Sequence, residues 1–587
     1  MRKRFLGIVV VGLMALTTLE NVYAGGGGQK PDSGNKTIDQ SNFTPLGTYP
    51  IVKTKETITI MSSIEFAEQN YDTNWMTEFY ENKTNVHVNW VTAPLQEFKT
   101  RLNTVLASGE YLDYISCGGH TSRSLTMNEI MRLAEQELIL PMQDYIESDS
   151  VYFKNDLTKI PGWKQVITLP NGNMYAIPSY SGDYHTMYYG KMWVNKLFLK
   201  NVGLDYPKTI DEFYNMLVAF KTKDANGNGN PNDEIPLIGA TDTWSARLSP
   251  FLMSAFIFDD GENRLFLENG KIVASYTRPE WQEGLRVLNQ WFKEGLISRD
   301  SFTMKRPDRH QLNSSKYESI IGAMPNPHNL NLGVREAGEP VRWIDYEPIA
   351  PIKGPKGVQE TYYGYYNPFG ANGARGVVPA TCKNPALVMR WLDWFGSQEG
   401  TLRVWFGMSL SDPDPSAIGI NGKLALFKGY GEGAPELNLK PGDKYYNNFR
   451  WGEQFPLFRD FDLYEGWQKA VDMLAPDGSG QERFLTVKSR ENYAPYGQKI
   501  ESIIPPMFYS QADIAEMTLM TTNINTYVEE SFAKFVVGDL NINTQWAVFQ
   551  NELKKLGIDR YLEIIQKTYN NSSFANGSLN WMPNTIK

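Results

Sequence analysis

Cysteine is almost absent from this chain: there are two, Cys117 and Cys382, in 587 residues. That count excludes a disulfide-stapled scaffold and a cysteine-ligated zinc module. The two either pair in an oxidising compartment or remain buried thiols. Histidine is scarce as well. His87, His120, His185, His310 and His328 are scattered and form no metal or triad motif. Beyond the N-terminus no apolar run reaches the roughly 18 residues of a membrane span. A basic excess is also missing: 57 Lys and Arg face 66 Asp and Glu, a net charge of −9. This balance disfavours nucleic acid and anionic membrane as partners.

Aromatic side chains are plentiful, with 15 Trp, 32 Tyr and 29 Phe. Some must be core; a surplus of Trp and Tyr also suits stacking on sugar faces. The length allows two or more domain-sized units. Residues 1–24 read as a secretory signal, with Arg2, Lys3 and Arg4 before an apolar run from Phe5 to Leu19. Val22 and Ala24 are the small residues expected at a cleavage site, which predicts an exported protein. Residues 25–55 read as a flexible leader that is Gly-, Ser- and Asn-rich at its start.

Asp224-Ala225-Asn226-Gly227-Asn228-Gly229-Asn230-Pro231-Asn232-Asp233-Glu234 sets short oxygen-bearing side chains at alternate positions and ends in two acids. Gly227 and Gly229 permit the positive φ angles of a tight curl. The donors are hard, so the matching ion is Ca²⁺, and the lack of Cys and His argues against zinc. The spacing departs from an EF-hand: the acids fall at positions 10 and 11 rather than 12, and Pro231 stiffens the second half. A solvated Asn/Gly turn without metal is the alternative. No nucleophile or general base lies nearby, so an ion here is structural.

Glu56–Met61 and Val86–Val91 alternate with the period of strands, and Pro94–Leu106 carries apolar residues at helical spacing. Asn70–Lys83 reads as the helix between them. Strand, helix, strand, helix, strand is the order of a mostly parallel α/β sheet. Further along, Met174–Pro178 and Thr186–Tyr189 read as strands. Helices are expected over Lys191–Asn201, Ile210–Lys221, Arg278–Lys293, Pro385–Phe395, Ala512–Val537, Asn543–Leu556 and Tyr561–Asn570. Thr209 with Glu212 three residues later marks a helix start just before the oxygen-rich loop.

Several of these segments, in this order, resemble family 1 extracellular solute-binding proteins of ABC importers. They are Leu106-Ala107-Ser108-Gly109-Glu110-Tyr111-Leu112-Asp113, Leu140-Pro141-Met142-Gln143-Asp144-Tyr145-Ile146 and Asn171-Gly172-Asn173-Met174-Tyr175-Ala176-Ile177-Pro178, then Pro207–Tyr214, Trp291–Ile297 and Lys383-Asn384-Pro385. Matches run from about residue 56 to about 570. The chain looks most like large members that bind oligosaccharides, including alginate-binding proteins. Their Ca²⁺ loop reads Asp-x-Asn-x-Asn-x-Lys-x-Asp-Glu. Asp224, Asn226 and Asn228 match it; Asn230 stands at a position that donates a backbone carbonyl. Asp233 and Glu234 match the terminal acids one residue late, so Asn232 and Asp233 compete for one place.

The resemblance implies an α/β, two-lobed periplasmic-binding-protein fold of type II-like design. Each lobe is a mixed, mostly parallel sheet flanked by helices, with a hinge between lobes. Lobe 1 is expected over 56–178 and about 330–415. Lobe 2, with the calcium loop, is expected over 179–329 and about 416–587. It also implies delivery of an oligosaccharide, held between the lobes, to permease subunits by a monomeric protein. No cysteine stands at the cleavage site for a lipid anchor, so release into a periplasm or the exterior is expected.

A sugar cleft needs flat rings and polar neighbours. Tyr180 and Tyr184 follow the expected first crossing, Trp244 follows the loop, and Tyr363 and Tyr365 lie in a ring-rich stretch near Arg375. Trp451 lies in a late, poorly periodic segment. Each ring is either a ligand contact or core. Arg375 either grips an acidic sugar or makes an ordinary ion pair. Two other readings stand beside this one: a secreted carbohydrate-active enzyme with paired carboxylates, and a binder of peptides or other small solutes on the same fold.

Overall fold

The computed structural model describes residues 39–575 apart from 65–69, 119–121, 160–162, 183, 364–370, 408–440, 460–471, 477, 479 and 573. The expected signal and the first part of the leader, with Tyr365, lie outside the described residues. Twelve strands are described: β1 (Glu56–Ile64), β2 (Val86–Pro94), β3 (Tyr114–Ser116), β4 (Ala176–Ser181), β5 (Met192–Asn195), β6 (Ile235–Leu237), β7 (Leu265–Glu268), β8 (Lys271–Ala274), β9 (Ile321–Pro325), β10 (Tyr346–Ile349), β11 (Ala371–Val377) and β12 (Phe458–Arg459). They form a six-stranded sheet of order β12-β4-β11-β3-β1-β2, a four-stranded sheet of order β10-β5-β9-β6, and the β7-β8 hairpin.

The first sheet begins as the alternating pattern predicts. β1 and β2 pair in parallel from Glu56↔Val86 to Ile64↔Pro94. The helix between them, Trp75–Thr84, starts at Asn74, whose side chain accepts from Met76 N, and stops at Asn85 in the left-handed region. Helix Phe98–Ser108 buries Phe98, Leu102, Val105 and Leu106 and ends at Gly109, φ +68°. Those side chains join Met61, Ile115, Ile130 and Val377 in the first core.

The second sheet has its own cores, one around Met192, Phe213, Trp281 and Leu285 and one around Trp193, Ile321, Tyr346 and Phe484. Two sheets with separate cores make the molecule two-lobed. Helix Ile210–Thr222 buries Phe213, Met216, Leu217 and Phe220. Thr209 Oγ1 accepts from Glu212 N, while Glu212 itself accepts from Lys208 N. Three C-terminal helices, Gln511–Val537, Ile542–Lys555 and Ile558–Asn570, pack near Pro279–Lys293, where Trp281 stacks on Phe549.

Three expectations need correction. Thr186–Tyr189 is not a strand; Tyr184–Met187 forms one helical turn. A short apolar run does not distinguish the two by pattern. The second sheet is not mostly parallel: β5 runs antiparallel to both β9 and β10, and only β6–β9 is parallel. The stretch 330–349 does not return to the first sheet. β10 completes the second sheet against β5, from Tyr346↔Asn195 to Ile349↔Met192. The chain re-enters the first sheet at β11 and leaves it after β12. Gly, Pro and Asn do cluster at these later crossings, as in 351–357 and 367–373, but such runs punctuate many loops and do not show which sheet the chain enters next, so spacing misplaced them. Neither Cys117 nor Cys382 is in a disulfide.

Candidate functional site

Strand direction locates the facing edges. β1, β2, β3, β4 and β12 run parallel, and β11 runs against them, so five strands end where β11 begins. In the second sheet β6, β9 and β10 end where β5 begins. The chain passes from the end of β4 to the start of β5, and from the end of β10 to the start of β11. Both crossings therefore join the same two edges. Ligands in α/β folds bind beyond the carboxyl ends of strands, so the cleft between these edges is the candidate site.

On the first-lobe edge, buried polar side chains interlock. Arg123 Nη1 donates to Ser63 Oγ at 2.7 Å, and Ser116 Oγ donates to the Gln454 carbonyl at 2.6 Å. Arg375 Nη1 donates to the Glu453 carbonyl at 3.0 Å and lies 3.9 Å from Glu453 Oε2. Arg459 Nη1 reaches Glu453 Oε1 at 3.3 Å, and its guanidinium lies 4.2 Å from the Trp405 ring centre. Burial alone would raise the Glu453 carboxyl, but Arg459, Arg375 and Arg123 outweigh it and hold it below its usual value.

On the second-lobe edge, Lys191 Nζ is buried and donates to the His185 carbonyl at 3.0 Å. The rings of His185 and His328 meet edge-on at 4.8 Å, and His328 Nε2 lies 3.6 Å from Glu482 Oε1. Asn326 receives Arg309 Nη2 at 2.7 Å and donates to the His328 carbonyl at 2.6 Å. Burial, with Lys191, His328 and Arg459 nearby, pushes the His185 imidazole well below its ordinary value. Arg459 belongs to the other lobe, so the two edges come close here. Asn329 is fully enclosed, and neither amide atom has a hydrogen-bond partner.

The expected ring contacts fall into different places. Tyr180 is half-buried on β4 and stacks on Phe458 at 5.4 Å. Tyr184 and Tyr363 are half-buried and both pack on the rim of the second-lobe core. Trp244 opens the short turn Trp244–Ala246, beyond the end of β6. Trp451 is core: it has 0% exposure and donates Nε1 to Thr77 Oγ1 at 3.0 Å. Trp90, Trp391 and Phe455 surround it with ring centres 5.0 to 5.7 Å away. Arg375 is also buried, at 1% exposure, and is engaged with Glu453. Sequence reasoning missed Arg123, His185, His328, Asn329, Glu453 and Arg459. Most of them sit next to strand ends, the one signal that could have found them.

The oxygen-rich loop joins helix Ile210–Thr222 to the start of β6. It therefore lies at the edge of the second sheet opposite the cleft. Asp224 accepts backbone N–H groups from Gly227 (2.9 Å), Asn228 (3.0 Å) and Gly229 (2.8 Å). Asn226 and Asn228 accept from the backbone two residues on, and both donate Nδ2 to the Asp233 carboxylate at 3.1 and 2.8 Å. Gly227 and Gly229 have φ +79° and +89°. Glu234 Oε1 accepts from Ala225 N at 2.7 Å, while Oε2 is buried without a partner. Asp233 thus turns into the curl, and Asn232 stays exposed with its backbone N–H on Asn230 Oδ1. Among the described residues no three acidic, Cys or His side chains gather as a ready metal cluster. The donors are amides and carboxylates mixed, and the orphaned Glu234 oxygen fits a hard cation that would replace the amide-to-carboxylate bonds.

The sequence profile of the bacterial extracellular solute-binding proteins matches residues 65–402. A curated relative, the "Fructooligosaccharide ABC transporter substrate-binding protein FusA" of Streptococcus pneumoniae serotype 4, is 25% identical over 532 residues, covering 89% of this chain and 91% of its own. A solved structure of the S. pneumoniae FusA EF-hand mutant in complex with fructo-nystose superposes with TM-score 0.64 at 23% identity, over 88% of this chain and 99% of that one. Alginate-binding protein AlgQ2, solved without calcium ion, has TM-score 0.56 at 20% identity, over 89% of this chain and all of its own.

Proposed function

Because the chain belongs to the bacterial extracellular solute-binding protein family, whose members bind and deliver solutes rather than transform them, we propose that it captures an oligosaccharide between its lobes for the permease subunits of an ABC transporter. One observation carries the reading: two strand-end edges face each other across the chain crossings, lined by buried polar groups, with the half-buried rings of Tyr180 and Tyr184 beside them. FusA, which is named for fructo-oligosaccharides and aligns over nearly the whole chain, supports the sugar class. Among the described residues lobe 1 is then 56–181 with 371–407 and 441–459, and lobe 2 is 184–349 with 472–575. A hinge between the lobes lets ligand shift the population toward a closed form. A transporter distinguishes loaded from empty protein only if the ligand prefers that closed form.

Residues 1–24 direct export to a periplasm or the exterior in this reading, and the protein acts as a monomer. Among the described residues no helix is long and apolar enough to cross a membrane. Ca²⁺ sits in the loop through Asp224, Asn226, Asn228, the Asn230 carbonyl, Asp233 and Glu234, and stabilises the second lobe without entering the cleft. The deciding experiment titrates the purified protein with an oligosaccharide panel, following intrinsic Trp fluorescence and product formation together. Saturable fluorescence change without product is expected. Turnover at enzyme-like rates sinks the reading, and binding of peptides alone retires its sugar half.

A further inference from the structure

The segment Ile503–Ser510 touches both lobes. Met507 packs in the second-lobe core, whereas Phe508 packs on the first-lobe core, and Tyr509 N donates to Asn128 Oδ1 on helix Met127–Glu135 at 3.2 Å. Helix Gln511–Val537 follows at once and carries no fully buried residue before Ile524, although Met517 and Met520 pack on the rim of the second-lobe core. Ile503, Ile504 and the Tyr509 ring also wall a cavity of about 330 Å³. The volume lies at the lower end of the roughly 300–1,000 Å³ of small-molecule sites, room for one ring system rather than a chain.

The lining suits a sugar ring. Tyr363, Tyr509, Tyr561 and Phe258 present aromatic surface, while Asp260 and Gln498 supply polar atoms. Asp260 Oδ1 is taken by the backbone N–H groups of Glu262 and Arg264, both at 2.8 Å. Its second oxygen remains as an acceptor for a hydroxyl. A carboxylate beside rings is the pairing that sugar recognition needs, because hydroxyls want an acceptor and C–H faces want a flat apolar surface. The cavity also adjoins the cleft. Tyr363 lies on the stretch between β10 and β11, and its ring lies 5.4 Å from that of Tyr188, on the first crossing.

We propose that this cavity receives the terminal sugar unit of the bound oligosaccharide, and that the Ile503–Ser510 strap passes its occupancy to the first lobe. The inference rests on the oligosaccharide reading above. A ring seated against Tyr509 holds the strap, and the strap holds helix Met127–Glu135 through Phe508 and Asn128. Oligomers long enough to fill the cavity then close the lobes more firmly than shorter ones.

The test uses the full mature chain and calorimetric titration with fructo-, alginate- and malto-oligosaccharide ladders of two to six units. Tyr363→Ala and the isosteric Asp260→Asn are compared with wild type, each checked by thermal melting. The expected result is a tenfold or greater loss for the longest ligands, with the shortest binder within twofold of wild type. Phe508→Ala should preserve binding of short ligands while reducing the ligand-induced compaction seen by small-angle scattering. Equal loss at every length, or no loss with Asp260→Asn, overturns the inference. Wild type binding no ladder at all overturns the oligosaccharide reading itself; wild type binding while the folded variants match it overturns the cavity alone.

Discussion

Removing the ion or the first donor of the Asp224–Glu234 loop should cost stability and spare ligand affinity. Asp224 accepts three backbone N–H groups at 2.8–3.0 Å. A hydrogen bond to a charged group contributes about 1.5–3 kcal/mol when protected. Gly227, Asn228 and Gly229 are exposed, so water recovers part of that, and Asp224→Ala should cost about 2–3 kcal/mol in all. Independently, an ion present at 100 times its dissociation constant stabilises by about 2.7 kcal/mol. For a lobe-sized unit, where each kcal/mol shifts Tm by about 2–4 °C, chelation should lower the melting temperature by roughly 5–10 °C. Differential scanning fluorimetry with calcium and with EDTA reads this directly. Asp224→Ala should melt low in both buffers, its response to calcium abolished. Sugar affinity measured below the lowered Tm should stay within twofold, because the loop joins β6 at its start and the cleft lies beyond its end. If EDTA removes sugar affinity while Tm holds, the loop belongs to the cleft and the strand-direction argument fails.

Trp451→Ala should destabilise the first lobe by about 3–5 kcal/mol, as a large ring lost from a closed core does, measured by urea unfolding; Trp451→Phe keeps most of the contact and should cost far less. The folded fraction of either variant should bind ligand normally, and selective loss of affinity would return Trp451 to the cleft. The depressed His185 pKa predicts a pH effect with a definite sign. The unfolded chain takes up this proton near pH 6.5 and the folded chain resists it. The stabilisation is therefore whole above about pH 6.5 and is lost as pH falls toward the folded value. His185→Gln should flatten the decline in unfolding free energy between pH 6.5 and 5, and an unchanged slope would show that other groups carry it.

What was legible in the sequence follows the range of the interaction responsible. β1 and β2 follow from alternating side chains, features encoded within a few residues; the helix between them was expected from Asn70 but starts at Trp75, after the cap Asn74. The oxygen-rich loop was legible for the same reason, since its curl depends on Gly227, Gly229 and Asx-type bonds spanning two residues. The fold class came from resemblance across many modest matches, not from any one pattern. The cleft was not legible, because no local pattern specifies it. Arg459 meets Glu453 six residues away, but Arg375 and Arg123 join that group from far along the chain. Trp451 shows the same limit from the other side: its environment is Thr77, Trp90 and Trp391, all distant in sequence. Composition tells how many rings a chain has; which become core depends on the sheet order β12-β4-β11-β3-β1-β2, which draws segments hundreds of residues apart into one layer. A better rule for such chains follows from the strands themselves. Once β9 is located, the residues just past its end, including Asn326 and His328, are the first candidates for ligand contact, ahead of any aromatic-rich stretch.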